Sequence, residues 1–248
     1  MPDFLIIGTQ KGGTTSLYHY LTQHPQIIPA AQKEIHFFDL NFQRGLDWYN
    51  AQFPSVTPGE TLTGEASPYY LFHPLTPKRV KALFPEIKLI VLLRNPVTRS
   101  WSHYNHEVRL GFESLSFAEA IASEPARLAG EVQKMLADEN YYSYNHQHYT
   151  YLSRGIYLEQ LKRWMELFPR DRFLILTSED FYRHPAQTVA QTLAFLGLPP
   201  AQLGDYPRYN AGEYRENIPD AMRRQLQDYF MPHNQALTEH LKIKFDWY

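Results

Sequence analysis

The stretch FLIIGTQKGGTTSLYHYLTQHP, residues 4–25, decides the fold that we predict for this chain. Its residues 4–7 form a short apolar run before Gly8, which is typical of a strand buried on both faces of a parallel sheet. Apolar residues then recur at helical spacing until Pro25 ends the pattern. The stretch therefore predicts a strand, a glycine-containing loop and a helix that begins near Thr14.

The loop of this stretch has the composition of an anion-binding site. Gly12 and Gly13 let the backbone turn its amides inward, and the new helix presents free N–H groups and the positive end of its dipole. The usual nucleoside triphosphate loop reads G-x-x-x-x-G-K-[ST]. Gly8 and Gly13 keep that glycine spacing, but Thr14 takes the lysine position and Lys11 lies inside the loop. The alternative is a plain strand-to-helix turn with no ligand.

Three short apolar runs separated by helical patterns predict an α/β fold: a central parallel sheet flanked by helices, in a single domain over residues 1–248. The predicted strands are residues 4–7, 87–93 and 172–177. The predicted helices are residues 116–122, 155–168, 186–196 and 220–230, and Ser116 with Glu119 forms a capping box at the first of them. A chain of 248 residues is long enough for one such domain with a full core.

The segment LLRNPVTRSWS, residues 92–102, offers the donors of a second anion site in Arg94, Arg99 and Ser102. A magnesium-holding nucleotidase would carry an acid at the strand end where this chain has Arg94. Ligands of α/β sheets collect beyond the carboxyl ends of the strands, so we expect this segment, the first loop and the residues after Thr177 to lie close together. For Arg99 the alternative is a surface ion pair.

Two further clusters attract attention. In KEIHFFD, residues 33–39, strand alternation would place Glu34 and His36 on one face, where a carboxylate and an imidazole could take a proton from an acceptor; a polar strand edge is the commoner explanation. The segment NYYSYNHQHYTY, residues 140–151, is either a loop packed on the core or an aromatic wall for a flat polar substrate such as a sugar. Its two histidines have no evident third metal ligand.

Composition narrows the class of protein. A formal net charge of −2 argues against a general nucleic-acid binder. The absence of cysteine excludes disulfides, thiol catalysis and thiolate metal sites. With no apolar leader and no run long enough to cross a membrane, we expect a cytoplasmic protein without a membrane partner, or a module of a longer chain. The oligomeric state stays open.

Five motifs in order resemble the PAPS-dependent sulfotransferases, in particular the heparan sulfate N- and 3-O-sulfotransferase-like branch and its bacterial relatives. They are TQKGGTT, KEIHFFD, GEASPYY, LRNPVTRSWSHY and RGIYLEQLKRWMELFP, and the resemblance spans nearly the whole chain. It implies a P-loop-like fold whose loop holds the 5′-phosphosulfate of PAPS, with PAP as the product and no metal. It also implies a small-molecule or glycan acceptor.

The resemblance assigns roles to particular residues. Lys11 would contact the bridging oxygen of the phosphosulfate, Arg94 and Ser102 would hold the 3′-phosphate, and Glu34 would be the general base with His36 close by. The phosphate cradle would be formed by five consecutive residues: Gly12, Gly13, Thr14, Thr15 and Ser16.

The sequence departs from the animal relatives in two places. Where the animal relatives often read E-K-S-P or E-K-T-P, this chain has Ala66 in place of the lysine. Their cysteine-flanked loop with a K-G-R motif is also absent. The corresponding region here is residues 210–217, in which Tyr214 and Arg215 are the candidates to contact the cofactor. Both departures leave the acceptor open among a glycan, a lipid, a phenol and a carrier-bound metabolite, with either a hydroxyl or an amine as the acceptor group.

Two other functions compete with a sulfotransferase. A small-molecule kinase or nucleotidase could use the same loop architecture, but the displaced lysine and Arg94 count against it. A nucleotide- or glycan-binding protein that has lost catalysis is the non-enzymatic alternative, and the presence of both Lys11 and Glu34 counts against that.

Overall fold

The structure, a computed structural model, describes residues 1–54, 59–201, 203–207, 209 and 217–247. Five strands lie among these residues: β1 Phe4–Gly8, β2 Ile27–Pro29, β3 Leu62–Ala66, β4 Lys88–Leu93 and β5 Phe173–Thr177. The helices are α1 Thr14–Leu21, α2 Gly45–Asn50, α3 Thr76–Leu83, α4 Pro96–Leu110, α5 Phe117–Leu128, α6 Glu131–Ala137, α7 Tyr144–His148, α8 Tyr157–Met165, α9 Ser178–Arg183, α10 Pro185–Leu196 and α11 Asp220–Leu241. Short 3₁₀ turns occur at Phe42–Arg44, Ser153–Gly155 and Arg170–Arg172.

All five strands form one parallel sheet in the order β2-β3-β1-β4-β5. The central strand is β1, in which Phe4 pairs with Gly64 of β3 on one side and with Lys88 of β4 on the other. The side chains of residues 4–7 are fully buried, as expected for a strand covered on both faces. The predicted α/β class with a central parallel sheet is confirmed.

The predicted strands and helices all occur, with shifted ends. The capping box at Ser116 is present, because its hydroxyl accepts from the Glu119 N–H while the Glu119 carboxylate accepts from the Ser116 N–H. The last predicted helix continues past residue 230 to Leu241, with Pro232 inside it.

Two strands, β2 and β3, were not predicted. Strand β2 has three residues, which is too short for a periodic pattern, and β3 reads LTGEA with two polar side chains. Those side chains are nevertheless fully buried: the Thr63 hydroxyl donates to the Ile28 carbonyl oxygen, and Glu65 accepts hydrogen bonds from several partners. A buried polar side chain is stable when it is hydrogen-bonded, so β3 breaks the hydrophobic pattern without losing burial.

The chain divides into two compact units, Met1–Leu93 with Trp164–Ala211, and Arg94–Arg163 with Gly212–Tyr248. The first unit contains the whole sheet. The second is helical, and one of its buried apolar clusters consists of Val97, Phe117, Ile218, Leu226 and Phe230. The predicted extent of a single domain, residues 1–248, stays a prediction. In the part of the chain that the structure describes, no helix is both long and apolar enough to span a membrane.

Candidate active site

The loop between β1 and α1 is tightly packed, and its two glycines are required. A Cβ on Gly12 would lie 2.7 Å from the carbonyl oxygen of Leu92 and 2.9 Å from that of Thr9. Gly13 has a φ of 98°, and a Cβ there would lie 2.8 Å from the Tyr182 hydroxyl. Backbone oxygens cannot move aside as a flexible side chain can, so only glycine fits position 12. Gly13 thus turns the chain in the left-handed region, and the Gly12 N–H donates to the Thr9 carbonyl oxygen at 2.8 Å. The anion-binding role of both glycines stays a prediction.

Helix α1 begins at Thr14, the predicted position, with Gly13 as its N-cap residue. Among the described residues, no side chain accepts a hydrogen bond from its first turn as a cap. The first N–H groups of any helix lack a helical carbonyl partner, and the dipole places partial positive charge there. The start of α1 therefore has the donors and the polarity of an anion site.

The side chains around this helix start differ in their surroundings. Lys11 is half-buried and has a left-handed backbone, with a φ of 68°. Thr14 is buried and Thr15 is half-buried. The Ser16 hydroxyl is buried and accepts from the Tyr209 N–H at 3.1 Å, so the main chain of residue 209 lies against α1. The phosphate-binding roles of these residues stay predictions.

The segment after β5 contacts the same loop, as predicted. The Ser178 hydroxyl, at the start of α9, donates to the Gly12 carbonyl oxygen at 2.6 Å. Tyr182 of the same helix lies against Gly13. The loop thus begins at the end of β1 and is held by contacts with the end of β4 and with α9.

Glu34, His36 and Asp39 form a chain of ionisable groups. The His36 imidazole lies between two carboxylates, with Nδ1 2.8 Å from Asp39 Oδ2 and Nε2 3.4 Å from Glu34 Oε2. The Lys33 ammonium donates to Glu34 Oε1 on the other side. Asp39 is buried, whereas 39% of the Glu34 side chain and 21% of the His36 side chain are exposed, so Glu34 is the most exposed member of the chain.

The charges in this chain set its protonation state. Burial raises the pKa of Glu34, but the hydrogen bond with His36 and the charge of Lys33 outweigh it and lower the pKa to about 2. Burial lowers the pKa of His36, but Asp39 and Glu34 outweigh it and raise the pKa to about 10. At neutral pH Glu34 is therefore a carboxylate and His36 an imidazolium.

The interpretation of residues 33–39 as an alternating strand is wrong. These residues lie outside helices and strands, and Glu34 and His36 have φ values of 62° and 53° in the left-handed region. The structure does bring the Glu34 and His36 side chains together, but through this turning backbone instead of through a shared strand face. Asp39, the third member, belongs to the same KEIHFFD motif. Its spacing of three residues from His36 is the sequence signal that would have indicated their contact.

Arg94 and Ser102 lie in the second unit, Arg94 directly after β4 and Ser102 within α4. The Arg94 Nε donates to the Thr98 hydroxyl at 3.1 Å, and its carbonyl oxygen accepts from the Tyr157 hydroxyl at 2.7 Å. Asn95 caps α4 by accepting from the Val97 N–H. Arg94 is half-buried and Ser102 is buried. Their assignment to a 3′-phosphate stays a prediction.

Arg99 is not in a surface ion pair, so that alternative is wrong. Its side chain is fully buried and donates to the Tyr151 carbonyl oxygen. Burial lowers the pKa of Arg99 to about 10, with Tyr157 opposing that change. This arginine joins α4 to the tyrosine-rich segment within the second unit.

The tyrosine-rich segment, residues 140–151, contains α7 and is divided between core and surface. His146 and Tyr151 are buried, as core packing predicts. Tyr142 and Tyr144 are exposed and lie near His148, which pairs with Glu107 at 2.9 Å. The aromatic wall stays a prediction for the exposed tyrosines. Among the described residues, no three His, Cys, Asp or Glu side chains are arranged to hold a metal ion.

Two predicted cofactor-binding residues, Tyr214 and Arg215, lie outside the described residues.

No role was assigned to Glu65 on the basis of the sequence. This buried residue contacts the backbone that carries Glu34 and His36. Its signal in the sequence was a glutamate inside an otherwise strand-compatible run, which is costly unless the carboxylate is paired.

Comparison with known proteins adds independent evidence. The sulfotransferase domain family model matches residues 1–210. Human heparan sulfate glucosamine 3-O-sulfotransferase 6 is 30% identical, over 99% of this chain and 73% of its own length. The bifunctional heparan sulfate N-deacetylase/N-sulfotransferase 1 of Caenorhabditis elegans is 26% identical, over 98% of this chain and 30% of its own length. The crystal structure of a sulfotransferase from Alicyclobacillus acidocaldarius is 32% identical, with a TM-score of 0.82 over 99% of this chain and 97% of that one.

The ion pair between His36 and Asp39 generates a testable prediction. The folded-state pKa of His36 is about 10, above the ordinary value of about 6.5. The contribution of this ion pair to the free energy of unfolding is therefore fully present below about pH 6.5 and is lost as pH rises through about 10. Asp39→Asn should lower the His36 pKa measured by NMR. It should also destabilise the fold to urea more at pH 6 than at pH 10.5. The exposed Asp228→Asn is the control, and an unchanged His36 titration in Asp39→Asn would contradict the assignment.

Proposed function

Because the chain belongs to the sulfotransferase domain family, we propose that it transfers a sulfuryl group from PAPS to a hydroxyl or amine acceptor. One observation carries the proposal: a glycine-dependent loop with Lys11 inside it leads into the start of α1, which no side chain of the described residues caps. These residues fit the donor, since backbone N–H groups and a lysine suit a phosphosulfate. Heparan sulfate is the acceptor named for the relatives, so a glycan is the first acceptor class to test.

When bound, PAPS supplies an activated sulfuryl group, and its transfer leaves negative charge on a phosphate oxygen. Lys11 stabilises that charge, and the N–H groups of residues 13–16 hold the phosphate in place. The Gly12 N–H donates to the Thr9 carbonyl oxygen at 2.8 Å, so it closes the loop instead. Arg94 and Ser102 bind the 3′-phosphate, which distinguishes PAP from nucleotides that lack it. A positioned cation and fixed N–H donors can act here without a metal ion.

Glu34 accepts the proton of the acceptor group in this proposal. It is ionised at neutral pH and is the exposed end of the Glu34–His36–Asp39 chain. His36 holds it from one side and is itself fixed by Asp39. A positioned general base contributes about 10²- to 10⁴-fold to the rate.

Ligand preference tests the donor. Calorimetric titration should show that wild type binds PAP more tightly than AMP or ATP. Arg94→Ala and Ser102→Ala should each lose about 10- to 100-fold of the PAP affinity and little of the AMP affinity, since a hydrogen bond to a charged group is worth about 1.5–3 kcal/mol. The exposed Arg224→Ala is the control. A preference for ATP would favour a kinase or nucleotidase instead.

Lys11→Ala tests the leaving-group role. The charge on the phosphate oxygen develops during transfer, so the lysine acts more strongly in the transition state than in the bound complex. We expect kcat for PAPS-dependent transfer to fall by about 10²- to 10³-fold, with a much smaller change in PAP affinity. Lys78→Ala, an exposed lysine on α3, is the control. Near-normal turnover of Lys11→Ala would remove this role.

Glu34→Gln keeps the shape of the side chain and removes its basicity. Transfer of radiolabelled sulfate to heparan sulfate should fall by about 100-fold or more, while PAP affinity stays nearly unchanged. The exposed Glu166→Gln is the matched control. The alternative is that Glu34 only pairs with Lys33 and His36; turnover would then stay within a few-fold of wild type.

A further inference from the structure

Glu65 is a fully buried carboxylate in β3, and the reaction proposed above gives it no part. Its two oxygens accept four hydrogen bonds. Oε1 accepts from the Tyr49 hydroxyl at 2.7 Å and the Tyr70 hydroxyl at 2.8 Å. Oε2 accepts from the Ser67 hydroxyl at 2.7 Å and the Ile35 N–H at 3.3 Å. Every contact is a donor, which suits the ionised form of the carboxylate.

This network reaches four consecutive backbone N–H groups, those of residues 35–38. Glu65 accepts from Ile35 directly. The Ser67 hydroxyl, which donates to Glu65, accepts from the His36 N–H at 3.2 Å. The Tyr70 hydroxyl, which also donates to Glu65, accepts from the N–H groups of Phe37 at 2.8 Å and Phe38 at 3.4 Å.

The segment that these groups hold has no regular structure to satisfy its backbone. Residues 35–38 lie outside helices and strands, and three of them are buried. Glu34 and His36 have positive φ values, which cost free energy for residues other than glycine. Such a backbone persists only when its surroundings fix it, and the Glu65 network supplies acceptors on one side. Asn41 donates to the Ile35 and His36 carbonyl oxygens on the other.

We propose that Glu65 is a positioning residue, which through Ser67 and Tyr70 fixes the backbone turn that aims Glu34 and His36 at the acceptor. The proposal rests on the proposed function for the catalytic part of its effect. Burial and tight hydrogen bonding make the turn rigid, and a misplacement of about 1 Å at the reacting groups costs about 100-fold in rate. The network therefore affects kcat and not the binding of the donor.

Two tyrosines allow a matched test. Tyr49 and Tyr70 are both fully buried, both donate to Glu65 Oε1, and both pack against aromatic rings of the segment. Only the Tyr70 hydroxyl accepts from the backbone of residues 37 and 38. Tyr70→Phe and Tyr49→Phe therefore remove equivalent hydroxyls from Glu65, but only the first releases the turn. Ser67→Ala is a second releasing variant, and these variants test the idea even where Glu65→Ala does not fold.

The kinetic readout compares kcat with donor affinity. Using PAPS and heparan sulfate, we expect kcat to fall about 10- to 100-fold in Tyr70→Phe and Ser67→Ala, and only a few-fold in Tyr49→Phe. PAP affinity should change by no more than about two-fold in all three, because their hydroxyls act on the turn and not on the anion loop. Equal kcat losses in Tyr70→Phe and Tyr49→Phe would overturn the proposal, as would a loss confined to PAP affinity.

The second readout is the titration of the His36 imidazole by NMR, which needs no substrate. The charged groups facing this imidazole are Glu34 and Asp39, with Lys33 beyond Glu34. If the turn loosens, His36 loses its fixed contact with these carboxylates, and its pKa should fall by at least about one unit toward the ordinary value of about 6.5. We expect that fall in Tyr70→Phe and Ser67→Ala and not in Tyr49→Phe.

The two readouts separate the two proposals. Wild type that transfers no sulfate from PAPS would remove the proposed function, and the His36 titration would still decide whether Glu65 fixes the turn. An active wild type whose His36 titration is the same in all three variants would overturn the role of Glu65 alone.

Discussion

The burial of β1 between two parallel neighbours is the constraint on which the rest of the first unit depends. Residues 4–7 are fully buried, and both edges of the strand are hydrogen-bonded, to β3 and to β4. Parallel strands all end at the same edge of a sheet, so the loops after β1, β2 and β3 must leave on one side. Those loops carry the glycine turn, the Glu34 segment and Ser67.

Close packing at that edge leaves little choice of sequence. The carbonyl oxygen of Leu92 in β4 occupies the space that a side chain at position 12 would need. Tyr182 of α9 does the same at position 13. The neighbours therefore leave no room for a side chain at either of these two positions, and the helix start that follows adds its dipole. In the proposed reaction, Lys11 inside this turn would supply the cation that the standard triphosphate loop places on the helix.

The sequence predicts the parts of this structure whose cause is local. The run of residues 4–7, the glycines and the periodic pattern of α1 lie next to one another, and the capping box at Ser116 needs only a residue three positions away. Strand β3 was missed because its stability comes from distant residues: Glu65 is satisfied by Tyr49, 16 positions earlier, and by the Ile35 N–H, 30 positions earlier. The pattern of apolar residues within a segment contains no information about hydrogen-bond partners so far away in the sequence.

The Glu34–His36 pair shows the same limit in another form. Their proximity was predicted, but from a strand alternation that does not exist. The observed turn needs positive φ values at two residues that are not glycine, and propensity argues against both. Acceptors from Glu65, Ser67 and Tyr70, together with the Asn41 amide, make that backbone tolerable. Long-range hydrogen bonds therefore determine the geometry of the candidate base, and the motif alone determines only its composition.

The partners of Glu34 also determine how strong a base it can be. A carboxylate with a pKa of about 2 accepts a proton poorly while it keeps both Lys33 and His36. His36 is held in place by the buried Asp39. The Lys33 ammonium, by contrast, lies at the end of a flexible side chain of four carbons. The hydrogen bond with His36 is the largest single cause that lowers the Glu34 pKa, and the charge of Lys33 comes after it. The same contact that fixes the Glu34 carboxylate in place therefore also limits its strength as a base.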